Sequence, residues 1–215
     1  MTRQELETRF LIDCDDTEWF GIIYDIYNED TRYYHTPEHI LSMFKNLDTY
    51  GGKVNDKMSV KWAIWFHDFV NNPKEGDNEE RSVTFFELFA LNRLSKKTIE
   101  KAKRMILATK THNSLHIKDI DDLSEEDKYD LFFFLDLDLA VLSSTDAEYS
   151  LYSLNIRYEY EPVVKNYLCR RFEFLTDLLT RQKIYFLDIF SQDDAVKNIE
   201  KECSTLCQSW KNNTI

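Results

Sequence analysis

Residues 57–76, KMSVKWAIWFHDFVNNPKEG, place an apolar helix pattern directly before a polar loop. Apolar side chains from Val60 to Phe66 recur at the spacings of one helix face, and residues 71–76 are rich in the Asn, Pro and Gly that mark loops. His67 and Asp68 therefore stand near a predicted helix end. Neighbouring helical residues project about 100° apart, so this imidazole and this carboxylate can both lean onto one ion.

The same spacing continues on both sides of this stretch. A Thr36-Pro37 start, with Thr as the cap and Pro at the first helical position, predicts a helix that ends at Tyr50. Only 4 Gly and 3 Pro occur in the chain, which leaves few residues for hairpin turns. The sequence predicts an all-α protein, with further helices over about 16–28, 77–94, 96–111, 124–142, 146–160, 162–181 and 193–210.

Length and charge limit the function classes. A chain of 215 residues that is 43% hydrophobic predicts one all-helical domain over residues 1–215. The 27 basic and 39 acidic residues give a net charge of −12, which disfavours a nucleic-acid polymer as partner. The longest apolar run, Leu131 to Leu135, is too short to span a membrane, and the N-terminus lacks the apolar centre of a signal peptide. We expect a soluble, cytoplasmic protein without a membrane partner.

Four cysteines are scattered along the chain and do not form a C-x-x-C motif. Free Cys behaves as a small apolar side chain, so reduced thiols at helix interfaces are favoured over zinc or disulfide roles. These residues are Cys14, Cys169, Cys203 and Cys207.

A second acidic pair, Asp136 and Asp138, lies in the most apolar predicted helix. An unpaired carboxylate there would cost several kcal/mol, so a cation is expected to meet it. The few histidines fall mostly at the ends of apolar helices, where each could also be a hydrogen-bonded core residue. They are His35, His39, His67, His112 and His116.

Six sequence blocks, in order, resemble the HD-domain metal-dependent phosphohydrolases, and more narrowly a bacterial-type group of predicted HD phosphohydrolases. The resemblance implies a single-domain helical bundle with an HD-type core over about 30–185 and C-terminal helices 186–215 packing on it. The blocks are Arg32-x-Tyr34-His35-x-x-x-His39-Ile40, Trp65-Phe66-His67-Asp68, Asp77 to Ser82, Thr109 to His112, Asp136-x-Asp138-Leu139 and Ile156-Arg157-x-Glu159-Tyr160.

The resemblance also implies the ligands of one divalent metal ion. His67 and Asp68 match the family dyad, and His35 follows Arg32 in the family's Arg-x-x-His pattern, with His39, one turn further, as the alternative. Asp138 is favoured as the last ligand, with Asp136 as the alternative.

A mixed nitrogen and oxygen site suits Mn²⁺, Fe²⁺, Co²⁺, Ni²⁺ or Zn²⁺. His112 occupies about the place of an additional histidine in two-metal members, but its possible partner His116 lies in a polar loop. A site for one metal ion is therefore preferred over a two-metal site.

The resemblance implies a phosphohydrolase that acts by attack of a metal-bound water, and charge and size favour a small phosphate ester, most plausibly a nucleotide, as the substrate. The expected catalytic residues are Asp68, Glu79, Lys110 and Asp136, with Glu80 as an alternative proton acceptor. The aromatics Tyr34, Trp65 and Phe69 could stack a base, although helical spacing favours the core for them. The expected substrate-binding residues are Arg32, His39, Lys110, His112 and Arg157.

Two other functions are consistent with the same residues. One is a non-catalytic helical metal-binding or interaction protein, and the other is a di-iron oxygenase on an HD-type scaffold, which needs more ligands than His112 supplies. The sequence leaves the oligomeric state open.

Overall fold

The computed structural model describes residues 2–113, 117 and 119–212, with side chains through residue 209. His116 lies outside this set. The described residues contain ten α-helices and no strand, which confirms the all-α prediction, and none of these helices is long and apolar enough to cross a membrane. The helices are α1 (Thr2–Asp13), α2 (Thr17–Tyr27), α3 (Pro37–Tyr50), α4 (Lys57–Phe66), α5 (Asn78–Ala90), α6 (Lys96–Ala108), α7 (Glu125–Asp138), α8 (Asp146–Tyr160), α9 (Tyr167–Thr180) and α10 (Gln192–Asn212).

The chain divides into two compact units, Met1–Leu137 and Asp138–Ile215. The division falls at the last residue of α7. The expectation of a single domain stays a prediction.

Some helix ends differ from the sequence prediction. Helix α5 ends four residues early, because Leu91 turns to an extended conformation with ψ of 121° and Asn92 follows in a left-handed one with φ of 61°. Helix α7 ends at Asp138 and is followed by a separate 3-10 turn, Ala140–Ser143. Thr36 precedes α3 as predicted, but its hydroxyl donates to the Tyr34 carbonyl and does not cap the helix.

Aromatic packing fixes α4 at the centre of the first unit. The rings of Phe10, Trp62 and Phe89 are fully buried, with centroids 5.7 Å apart for Phe10 and Trp62 and 4.7 Å for Trp62 and Phe89. Burying each such ring contributes about 1.5–3 kcal/mol. Every residue of α4 from Ser59 to Phe66 except Lys61 is buried, so the helix that leads to His67 has little freedom to shift.

The start of α4 is also tied to the middle of α7. Both carboxylate oxygens of the buried Asp130 accept main-chain N–H groups, from Asn55 and from Asp56, at 2.8 Å each. Burial raises the pKa of Asp130, and these two hydrogen bonds oppose that rise. The contact sets the register of α7 against α4.

The second unit contains a buried ion pair. Arg171 of α9 donates to both carboxylate oxygens of Glu202 of α10, at 2.9 and 3.1 Å, and the Tyr149 hydroxyl donates to Glu202 at 2.7 Å. Both charged side chains are only 6% exposed. Burial opposes ionisation of Glu202, but the hydrogen bonds from Arg171 and Tyr149 outweigh it and hold the pKa of Glu202 below its ordinary value.

We predict that Arg171→Met lowers the free energy of unfolding by about 3–5 kcal/mol at neutral pH, because it leaves a buried carboxylate without its cation. Because the folded-state pKa of Glu202 is depressed, the stabilisation is present at neutral pH and is lost as the pH falls through that pKa. Urea denaturation at several pH values should therefore show wild type and variant converging in acid.

The matched control is Arg157→Met, which removes the exposed pair of Arg157 with Glu161 on α8. We expect a change of about 1 kcal/mol or less for this exposed pair. Equal losses in the two variants would contradict the prediction.

Candidate metal centre

Four side chains that are distant in sequence meet at one place. One possible ligand atom from each of His39, His67, Asp68 and Asp138 lies within 4.8 Å of the other three. His39 lies in the first turn of α3, His67 and Asp68 follow the last residue of α4, and Asp138 is the last residue of α7. The two histidines are buried and the two aspartates half-buried. This group can hold a metal ion.

The distances within the group are those of atoms that share an ion. His67 Nε2 lies 2.9 Å from Asp68 Oδ2 and 3.2 Å from His39 Nε2, and His39 Nε2 lies 3.9 Å from Asp68 Oδ2. Nitrogen and oxygen ligands at about 2.0–2.2 Å from an ion lie about 3.0–3.5 Å from their neighbours and about 4.2 Å from a ligand opposite. The 3.2 Å separation falls within the range for neighbouring ligands and the 2.9 Å separation lies just below it, while the 3.9 Å separation lies nearer the value for opposite ligands.

The hydrogen bonding of His67 favours metal binding. Its Nδ1 lies 3.1 Å from the carbonyl oxygen of Ile64, which can only accept, so Nδ1 carries the proton. In the neutral ring, Nε2 then presents a lone pair, and it faces the Asp68 carboxylate at 2.9 Å. Two electron-pair donors at this distance need a proton or a metal ion between them, and a histidine held by a main-chain carbonyl is the usual arrangement of a metal ligand.

His35 lies at the edge of the group and has the opposite tautomer. The Asn71 side-chain amide nitrogen lies 3.3 Å from His35 Nδ1, which accepts, so Nε2 carries the proton in the neutral ring. His35 Nε2 is 3.8 Å from Asp68 Oδ2. The structure thus has His39 in the ligand group, where the sequence favoured His35, and gives His35 the tautomer of a donor.

The two aspartates of α7 take different positions. Asp138 belongs to the group, in agreement with the sequence preference. Asp136 is fully buried. Two residues correspond to about 200° of rotation, so Asp136 lies on nearly the opposite side of α7, and its catalytic role stays a prediction.

Glu79 is a half-buried carboxylate in the first turn of α5. Burial raises its pKa most, and the negative charges of Glu80 and Asp68 add to the rise, while its own backbone N–H and Lys110 oppose it. Glu79 directly follows Asn78, whose side chain is hydrogen-bonded to the main chain of Asn72. A carboxylate with a raised pKa is a better proton acceptor than an ordinary one.

The predicted phosphate-binding cations all have protein partners. Lys110 forms a short ion pair with Glu80, lies 3.9 Å from Glu79 and donates to the Gly76 carbonyl at 2.7 Å. Arg157 of the second unit pairs with Glu161. Arg32 is buried and donates to main-chain carbonyls. Substrate binding by these residues stays a prediction.

His112 follows α6 in a left-handed conformation, with φ of 46° and its N–H donating to the Ala108 carbonyl. Its predicted role as a substrate-binding residue stays untested.

Asn71 and the Ile64 carbonyl were missed by the sequence analysis. Asn71 was part of a loop prediction, and no spacing rule points from it to His35. The loop itself is tied together, because Asn72 N–H donates to the Asn78 side chain and Asn78 donates back to the Asn72 carbonyl, at 3.0 Å each. These bonds hold Asn71 beside the site.

No family model, no curated protein and no solved structure matches this chain.

We predict that His39→Ala weakens Co²⁺ binding strongly, because it removes a metal ligand. Loss of a residue that only hydrogen-bonds to a ligand typically weakens metal binding by about 10- to 100-fold, and the loss in His39→Ala should be larger. His35→Ala should keep most of the affinity. Titration of the purified protein with Co²⁺, followed by visible absorption, measures both, and loss of binding in His35→Ala with retention in His39→Ala would reverse the assignment.

Proposed function

We propose that this chain is a metal-dependent phosphohydrolase that releases phosphate from a small phosphate ester. The observation that carries the proposal is the group of four possible ligands, His39, His67, Asp68 and Asp138, in which His67 Nε2 lies 2.9 Å from Asp68 Oδ2. His39, His67, Asp68 and Asp138 would hold one divalent ion. Mn²⁺, Fe²⁺, Co²⁺, Ni²⁺ and Zn²⁺ all accept such a mixed set of ligands, and the resemblance to HD-domain phosphohydrolases agrees with it.

A bound divalent ion would supply charge neutralisation for the phosphoryl oxygens and would lower the pKa of a coordinated water towards about 7. Four protein ligands on an ion that accepts five or six leave positions for solvent and substrate. The half-buried Asp68 and Asp138 keep the group open to both.

The side chains around the group provide for the movement of protons. Burial raises the pKa of Glu79, and in the proposed reaction this carboxylate would accept the proton of the attacking water. His35 carries its proton at Nε2 and would donate a hydrogen bond to the leaving oxygen or to the phosphate. Asn71 keeps that proton at Nε2 by occupying Nδ1.

The substrate proposal is a small phosphate monoester, with a nucleotide as the class to test first. A net charge of −12 opposes long polyanions. Of the aromatics predicted to stack a base, Trp65 and Phe69 are buried, and the half-buried Tyr34 ring packs on the site histidines, with its centroid 5.0 Å from that of His35 and 4.9 Å from that of His39. Recognition of a base by these three rings is therefore not part of the proposal.

We predict that the protein with Mn²⁺ or Co²⁺ releases inorganic phosphate from at least one member of a panel of nucleotides and sugar phosphates. Chelation of the metal, or either of the substitutions His67→Ala and Asp68→Asn, should abolish the release. A colorimetric phosphate assay measures it, and undiminished activity in both variants would refute the proposal. Two irons per chain by elemental analysis would favour the oxygenase, and no bound metal the non-catalytic protein.

We predict that Glu79→Gln lowers kcat by about 10²- to 10⁴-fold, the usual contribution of a general base, with little change in Co²⁺ affinity. The matched control is Glu87→Gln on the same helix, where Glu87 pairs with Lys103. Steady-state kinetics on the best substrate of the panel would show an unchanged kcat in the control. A Glu79→Gln enzyme with wild-type kcat would remove Glu79 from the mechanism.

A further inference from the structure

Arg32 is a buried arginine whose guanidinium is turned towards the main chain. Its Nη1 donates to the carbonyl of Asp68 at 2.7 Å and to that of His35 at 3.3 Å, and its Nη2 donates to the carbonyl of Phe69 at 2.9 Å. The side chain is only 3% exposed. One cation thus joins the turn after α4 to the segment that precedes α3.

Tyr27 completes the arrangement. The guanidinium carbon of Arg32 lies 4.9 Å from the centre of the Tyr27 ring, a cation–π contact, and the Tyr27 hydroxyl accepts the main-chain N–H of Asp68 at 3.2 Å. Asp68 lies beyond the last residue of α4, at Phe66, and beyond its cap, His67. Its N–H and its C=O are therefore both held by side chains, Tyr27 on one and Arg32 on the other.

The geometry requires a guanidinium. Arginine presents five donors in a rigid planar fork, which can serve three carbonyls and stack on a ring at the same time. A lysine ammonium keeps the charge but is a single point of attachment on a flexible stem. Arg32→Lys therefore keeps the positive charge and removes the planar set of donors.

We infer that Arg32 is a positioning residue that holds Asp68 in the ligand group and His35 at its edge, and that it does not bind the substrate phosphate. The inference deepens the proposed function and rests on the metal site described there. It replaces the expected role of Arg32 in substrate binding, because its Nη groups already donate to three carbonyls. Residues that orient metal ligands in this way typically change metal affinity by about 10- to 100-fold when they are replaced.

The test is titration of Arg32→Lys with Co²⁺ alone, without substrate. We expect Co²⁺ affinity to fall by about 10- to 100-fold. The matched control is Arg93→Lys, since Arg93 also donates to a carbonyl, that of Phe89 at 2.9 Å, and lies over the Phe89 ring. Unchanged affinity in Arg32→Lys, or equal losses in both variants, would overturn the inference.

Kinetics separate positioning from phosphate binding. A positioning role predicts that KM for the phosphate ester returns to the wild-type value in Arg32→Lys once the metal is saturating. A raised KM with unchanged Co²⁺ affinity would assign Arg32 to the substrate and overturn the inference.

A second readout needs neither metal nor activity. Amide hydrogen exchange should show faster exchange at residues 67–69 in Arg32→Lys than in wild type, with little change in α6. Tyr27→Phe keeps the ring, removes the hydroxyl that accepts the Asp68 N–H, and should show a smaller effect at the same residues. If the wild type binds no Co²⁺, the proposed function fails, and hydrogen exchange alone tests whether Arg32 holds the turn after α4. Unchanged protection at residues 67–69 in Arg32→Lys would then overturn the inference.

Discussion

The site depends on the 2.9 Å separation between His67 Nε2 and Asp68 Oδ2. The Ile64 carbonyl keeps the proton of the neutral ring at Nδ1, so both atoms present electron pairs to each other. His67 is buried, and low dielectric strengthens the resulting repulsion unless a cation offsets it. A proton on Nε2 would satisfy this pair alone, whereas a metal ion also accounts for His39 and Asp138 in the same group.

The rest of the first unit holds this unfavourable pair in place. Asp130 binds the main chain at the start of α4, buried aromatic rings surround its middle, and Arg32 and Tyr27 hold the turn at its end. These contacts fix the main chain at both ends of α4, and with it the position of His67 and Asp68. A backbone fixed in this way keeps a ligand site ready before an ion arrives.

The sequence predicted the features that depend on local spacing. Periodicity located most helices, and the motif pointed to His67, Asp68 and Asp138. Spacing alone could not separate His35 from His39, because residues four apart share a helix face. The choice between them depends on Asn71, which lies 36 residues away from His35 in the chain. The role of Arg32 was missed for a similar reason, since two of its carbonyl partners are 36 and 37 residues further along the chain. Helix α1, which was not predicted, buries only Leu6 and Phe10 and so has little periodic signal.

The pairing of the cations bears on how a phosphate would be recognised. Lys110 is engaged by Glu80 and Gly76, Arg32 by three carbonyls, and Arg157 by Glu161. If one of these cations moved to a phosphate, a carboxylate or a carbonyl would lose its hydrogen-bond partner. That loss would offset much of the free energy gained by binding the phosphate. In the proposed reaction a bound metal ion would therefore meet most of the phosphate charge. Such a site would gain little from further phosphates, so the proposal favours a monoester over a polyphosphate chain.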